Sequence, residues 1–152
     1  MSDGEEKPDG FSFAGIVAGL KDSKKKDLAL ILAPKNSICT GLFTQSTVRA
    51  SCVDICEQRI KKSSGQIRAI LINSGQANAC TGDFGTQHTL IATKEVSQLL
   101  GINEEEVLMC STGVIGIPIQ IKNLIDNLPN LVKELKINSL QNAAEAILTT
   151  DL

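Results

Sequence analysis

The chain contains no tryptophan and no tyrosine, and its only aromatic residues apart from the single histidine are four phenylalanines. It therefore has almost nothing on which nucleic-acid bases could stack. Its net charge of −2 gives no cationic surface to hold a phosphate backbone, so nucleic acid is not an expected partner. No apolar run approaches the roughly 20 residues of a membrane-crossing helix, and no membrane partner is expected. His88 alone supplies a conventional general base. Neither GxGxxG nor GxxxxGK[ST] occurs, so the two common nucleotide-cradling loops are missing. There is no CxxC either. The five cysteines are Cys39, Cys52, Cys56, Cys80 and Cys110. They read as reduced, mostly core residues of an intracellular protein, with only Cys80 outside an apolar element. Cys52 and Cys56 stand four apart on an expected helix, but with one histidine and no second close pair no metal site is expected. No tightly held cofactor is expected.

What is present is an ordinary globular mixture. Apolar residues make up 42% and charged residues 21% of 152 positions, enough for one domain with a real core. Residues 1–10 are polar and Gly/Pro-bearing and read as a loose arm ahead of a domain over 11–152. Phe11–Leu20 reads as a turn-rich strand, and the lysine-bearing run Lys21–Asp27 as a solvated turn. Asp27–Pro34 is a short buried strand, with Ser37–Phe43 as its expected hairpin partner.

Ser51–Lys62 repeats apolar residues at helical spacing and ends in lysines, where the helix dipole favours them. Ile67–Asn73 is a further buried strand. Gly85–Leu100 is an expected helix with Leu90, Val96, Leu99 and Leu100 inward and Gly101 as its C-cap. Asn103 and Glu106 form a capping-box pattern ahead of a strand opening at Val107. Ile119–Leu128 reads as helical, and Pro129 as the first position of another helix. Ser139 is the expected cap of a last helix with Leu140, Ala143, Ala144, Ile147 and Leu148 on its apolar face. Mixed strands and helices predict an α/β layered architecture.

Three stretches of small polar residues follow apolar elements: Asn73–Gly82, Ser111–Gly116 and Thr149–Asp151. The strand from Val107 is expected to break at Ser111, Thr112 and Gly113. That end presents backbone N–H groups and a hydroxyl, which suit an oxyanion or phosphate. Together the three stretches can line a pocket that stabilises an anion without supplying a nucleophile. Cys80 and His88 offer a conceivable Cys–His pair, against the blander reading of a small buried cysteine and a histidine on a helix face.

Those stretches carry a resemblance. Asn-Ser-Gly-Gln-Ala-Asn-Ala-Cys-Thr-Gly at 73–82, Ser-Thr-Gly-Val-Ile-Gly at 111–116 and Ala-Ile-Leu-Thr-Thr-Asp at 146–151 resemble three successive signatures of one family. It is the bifunctional ornithine acetyltransferase / glutamate N-acetyltransferase family of arginine biosynthesis. Gly-Phe at 10–11, Ala-Gly-Leu-Lys at 18–21, Asp-Leu-Ala-Leu at 27–30 and Gly-Leu-Phe-Thr at 41–44 resemble that family's opening. The likeness runs over nearly the whole chain after Gly10. Each motif is weak alone, and the ordered set is specific.

The resemblance implies an α-β-β-α layered sandwich and a cytoplasmic enzyme made as one precursor that cuts itself at an Ala–Thr bond. The new N-terminal threonine of the β chain is the nucleophile. It takes acetyl from N-acetylornithine and passes it to glutamate, and acetyl-CoA is a further possible donor. The α chain supplies the oxyanion hole, which here falls on Thr112 and Gly113, and Thr149 is implied as a substrate contact. An α2β2 heterotetramer is the implied assembly. This sequence departs from the family pattern in its first nine residues, and it ends at Leu152, before the cleavage-site threonine. By itself it is expected to be inactive. The alternative is a non-catalytic binding or interaction module that keeps the fold without the nucleophile.

Overall fold

A computed structural model describes residues 8–149. The expected arm over 1–10 lies mostly outside that range, as does the end of the third signature, 150–151. The elements run β1 (Ser12–Ile16), β2 (Leu28–Leu32), α1 (Ser51–Lys62), β3 (Ala69–Gln76), α2 (Asp83–Leu100), a 3-10 turn (Glu104–Glu106), β4 (Val107–Val114), α3 (Ile121–Lys133) and α4 (Leu140–Ile147). The α/β class is the one expected. The strands form one mixed sheet in the order β1-β2-β3-β4, and no second sheet is formed among the described residues. The first two pairings are antiparallel, and β3 and β4 are parallel. A parallel pair needs a long crossover, and α2 provides it.

Alternation along the strands sorts the core into two faces. Leu28, Leu30, Leu71, Val107 and Met109 pack with Ala92 and Val96 of α2 and with Leu124, Leu128 and Leu131 of α3. Phe13, Ala29 and Ile72 pack on the other face with Ala143 and Ala146 of α4. That helix approaches the sheet at Gly15. A Cβ there would lie 2.8 Å from the Ala143 nitrogen and closer still to the Asn142 carbonyl. α1 lies along the free edge of β4, where the Arg59 guanidinium donates to the Val107 carbonyl at 2.6 Å. The Cys56 thiol donates to the Met109 carbonyl at 3.3 Å. Two carbonyls on that edge thereby gain donors.

Several expectations are corrected. Ser37–Phe43 is not a strand. Both sides of β2 are already taken by β1 and β3, so the segment keeps only an isolated bridge between Ile38 and Gln66. Pro129 does not start a helix but lies inside α3. Leu124, Leu128 and Leu131 are fully buried around it. Their burial is worth roughly 4–9 kcal/mol, against about 3 kcal/mol for an interior proline.

Leu90 and Leu99 are exposed, and the inward face of α2 is Thr89, Ala92, Thr93 and Val96. The threonines can be buried because each hydroxyl donates one turn back, Thr89 to the Gly85 carbonyl and Thr93 to that of Thr89. In α4 the small residues Ala143 and Ala146 are inward while Ile147 and Leu148 are exposed. Ser139 sits at the N-cap but makes no capping bond. Cys110 is exposed, not core, because β4 runs out from under its cover there.

Candidate functional site

Because β3 and β4 are parallel, their C-terminal ends emerge side by side. The expected breaks at Asn73 and Ser111 do not occur. Asn73–Gln76 pairs with Ser111–Val114, so the small polar residues extend the sheet. Glycine makes this possible. Gly113 has φ +131°, and a Cβ on it would lie 2.8 Å from the Gln76 nitrogen and closer still to the Gly75 carbonyl. Gly75 has φ +126°, and its Cβ would lie 2.6 Å from the Leu20 carbonyl oxygen. Three backbones therefore lie directly against one another: the turn at Leu20, the end of β3 and the end of β4.

Thr112 and Ser74 face each other across the pair, on the face that α4 covers. Ser74 donates its hydroxyl to the Ala146 carbonyl at 2.6 Å and so ties α4 to the strand end. A cavity of about 360 Å³ opens beside them, lined by Lys21, Gly75, Thr112, Gly113, Val114 and Thr149. All three sequence-predicted site residues, Thr112, Gly113 and Thr149, thus border one space. A second recess of about 430 Å³ shares Lys21, Gly75, Val114 and Thr149 with it and adds Asp22, Gln76 and Gln120.

Lys21 is the residue that sequence reasoning missed. The run Lys21–Asp27 is not simply a solvated turn, because Asp27 is fully buried. Its carboxylate accepts the backbone N–H groups of Ala18 at 2.6 Å, Leu20 at 2.6 Å and Lys21 at 3.0 Å. Gln76 donates its side-chain amide to the Leu20 carbonyl at 2.7 Å. The turn is thereby fixed from two sides, and the Lys21 ammonium donates to the Leu148 carbonyl at 2.8 Å. Burial pushes the Lys21 ammonium below its ordinary range, Asp27 acts in the opposite direction, and Lys25 adds to the lowering. The sequence signal was the position of Lys21 and Asp27 at the flanks of the exposed residues 22–25.

The stretch 73–82 divides in two. Residues 73–76 belong to the site, and 77–82 form a pinned connector. Asn78, at φ +52°, donates to the Gly85 carbonyl at 3.2 Å and to the Thr89 hydroxyl at 2.8 Å, while Thr81 donates back to Asn78. Cys80 is exposed rather than buried, at φ +56°. No hydrogen bond joins it to His88 among the described residues. His88 packs its ring on Phe84 at 5.9 Å instead, and burial lowers its pKa from the ordinary value. A larger recess of about 660 Å³ opens at the far end of the sheet, around Lys35, Arg68 and Glu106. It borders none of the predicted site residues. Among the described residues no cluster of three metal-ligating side chains occurs, and no helix is long and apolar enough to cross a membrane.

Comparison with known proteins agrees with this architecture. Residues 12–152 match the ArgJ family. The arginine biosynthesis bifunctional protein ArgJ of Prochlorococcus marinus subsp. pastoris is 93% identical over all of this chain, which covers 38% of that protein. The protein of the same description from Synechocystis is 46% identical over 95% of this chain, which covers 35% of it. The chain thus spans little more than a third of the curated relatives it matches. Among solved structures, an ornithine acetyltransferase from Mycobacterium tuberculosis, determined in complex with ornithine, superimposes with a TM-score of 0.89 at 36% identity. The match covers 95% of this chain and 78% of that one. The ArgJ protein of Bacillus halodurans gives a TM-score of 0.87 at 32% identity, covering 94% and 74%. This chain belongs to the ArgJ family and corresponds to the N-terminal part of its members.

Proposed function

We propose that this chain is the α-chain part of an N-acetyltransferase that moves acetyl from N-acetylornithine to glutamate, with acetyl-CoA as a further possible donor. The observation that carries the reading is the single cavity bordered by Thr112, Gly113 and Thr149. The nucleophile is the N-terminal threonine of a β chain cut from the same precursor, so the 152-residue chain alone is expected to transfer no acetyl. In the complete enzyme, proposed to be a cytoplasmic α2β2 assembly, that threonine hydroxyl adds to the acetyl carbonyl and gives its proton to a base. The oxyanion formed is held by the Thr112 hydroxyl and the Gly113 N–H. The C–N bond then breaks, the proton goes to the leaving amine, and ornithine departs from acetyl-threonine. The glutamate amine reverses the sequence, and Thr149 contacts the substrate.

Thr112 decides the matter experimentally. Losing one oxyanion donor costs roughly 10²–10³ in kcat. Because the bond strengthens in the transition state, KM moves much less. In the full-length protein, Thr112→Val is expected to lose that factor and Thr112→Ser to keep most of the rate, with folded fraction checked by thermal unfolding. Wild-type turnover in Thr112→Val removes the oxyanion assignment. Absence of any acetyl transfer in the wild type favours the non-catalytic module.

A further inference from the structure

The recess at the far end of the sheet serves none of the chemistry proposed above. Its volume of about 660 Å³ falls within the range of about 300–1,000 Å³ usual for small-molecule sites. Lys35 and Arg68 are the cations on its wall, Glu106 the carboxylate, and Leu100 and Ile102 the large apolar side chains. Arg68 directly precedes β3 and Glu106 directly precedes β4, so the recess lies at the roots of the two parallel strands. Five steps along β4 separate Val107 from Thr112, roughly 17 Å at about 3.3 Å per residue. A small molecule held in the recess therefore does not reach Thr112.

The partners of the charged groups show which sign is left over. The Arg68 guanidinium gives its Nε–H to the Ala33 carbonyl at 2.9 Å. Its two Nη groups make no hydrogen bond or ion pair among the described residues, and neither does the Lys35 ammonium. The carboxylates in and beside the recess are engaged elsewhere. Glu106 accepts the Asn103 N–H at 2.8 Å within a reciprocal capping box. Glu104 pairs with Arg59 at 2.8 Å, and Glu105 pairs with Lys62. The C-terminal end of α2 also borders the recess, but its partial charge is only about half a unit, against two whole cations.

The backbone beneath both cations is fixed. Arg68 is wedged between β2 and the 3-10 turn: its carbonyl accepts the Ala33 N–H at 2.8 Å, and its N–H donates to the Glu106 carbonyl at 2.8 Å. Lys35 sits in a turn closed by the Ser37 hydroxyl, which donates to the Pro34 carbonyl at 2.8 Å. Leu100 and Ile102 are half-buried and pack on the core, so the apolar part of the wall is fixed as well.

We propose that this recess is a binding site for a small organic anion, with its carboxylate or phosphate head on Arg68 and Lys35 and its apolar body against Leu100 and Ile102. A guanidinium with both Nη groups free presents parallel N–H donors that match two oxygens of one head group, and a nearby ammonium adds a point charge. The site is separate from the cavity at Thr112, and it stands whether or not the acetyl-transfer reading does.

The test is titration calorimetry on the full-length protein at fixed ionic strength, with benzoate, phenyl phosphate and the neutral benzamide as probes. At least one of the two anions is expected to bind with one site per chain and saturate in the millimolar range, and the tighter of the two identifies the head group. Benzamide is expected to bind at least about tenfold more weakly, as loss of charge-assisted hydrogen bonds gives. Arg68→Gln, which keeps a donor for the Ala33 carbonyl, is expected to weaken the anion about tenfold or more, and Arg68→Lys, which keeps the charge without the fork, by less. Lys35 is exposed, so Lys35→Glu carries the test if Arg68→Gln does not fold, and it is expected to abolish binding. Thr112→Val is expected to bind the probes as wild type does. If neither anion saturates, if benzamide binds as well as they do, or if folded Arg68→Gln or Lys35→Glu binds as wild type does, the proposal is overturned. Loss of binding in Thr112→Val would place the anion at the other cavity and overturn it too.

Discussion

Gly113→Ala tests the close stacking that builds the site. Two costs can be worked from the structure. The first is conformational: φ +131° lies in a region that residues with a side chain rarely enter, at roughly 1–3 kcal/mol. The second is steric. The new methyl would meet the Gly75 carbonyl and, at 2.8 Å, the Gln76 nitrogen. These are backbone atoms of β3 and cannot rotate away, so the two strand ends must separate, which costs a further 1–3 kcal/mol or so. The sum is on the order of 2–6 kcal/mol.

Gly101→Ala is the matched control. It has φ +64° with nothing within 4 Å of an added Cβ, so only the left-handed strain of about 1–2 kcal/mol applies. Denaturant midpoints of the full-length variants, measured under one condition, are expected to fall in the order wild type, Gly101→Ala, Gly113→Ala. Gly75→Ala meets the Leu20 carbonyl oxygen at 2.6 Å and should resemble Gly113→Ala. Because the two changes open one shared contact, the double variant is expected to cost less than their sum. If Gly113→Ala is no worse than Gly101→Ala, β3 and β4 do not pack as described, and the geometry of the cavity falls with them.

Asp27→Ala removes the acceptor of three backbone N–H groups and is expected to cost about 3 kcal/mol or more in chemical denaturation, with Asp27→Asn between it and wild type. A loss under 1 kcal/mol would contradict the three-fold grip. The Cys56 thiol is pushed up to about 12 by burial from an ordinary 9.0. It is therefore expected to resist iodoacetamide at pH 8 until denaturant is added, and labelling at the unfolded rate would refute its burial. The sign for stability follows. Above about pH 9 the unfolded thiol loses its proton while the folded one keeps it, so this group's contribution is intact below 9 and is lost as pH rises toward 12.

The sequence made the fold legible wherever a period was strong. Ser51–Lys62 is a helix to the residue, because Cys52 and Cys56 recur on one face before a lysine end. Arg59 on the same face was unreadable, since an arginine is buried only when a carbonyl such as that of Val107 awaits it. Ser37–Phe43 misled because strand-like composition does not say whether a partner edge is free. At the site, the convergence of Thr112, Gly113 and Thr149 followed from small polar residues after apolar elements, and one cavity does bring them together. Lys21 stayed hidden because the turn that places it beside the cavity is fixed by a buried carboxylate six residues on.

The strand that carries Thr112 changes character along its length, and that change is what positions the proposed oxyanion donors. Val107, Leu108 and Met109 are buried, the first and last also capped through their carbonyls by Arg59 and Cys56. From Cys110 on, the side chains are exposed or half-buried, yet the pairing with β3 continues to Val114. A loop at the same place would give the donors the same composition without fixed directions. Extending the ladder through Gly75 and Gly113 keeps Thr112 in a register set by the core. Donors held this way need no reorganisation when charge develops. The glycines are therefore as much part of the proposed oxyanion site as the threonine: one supplies the contact that lets the strands run on, and the other the N–H beside the hydroxyl.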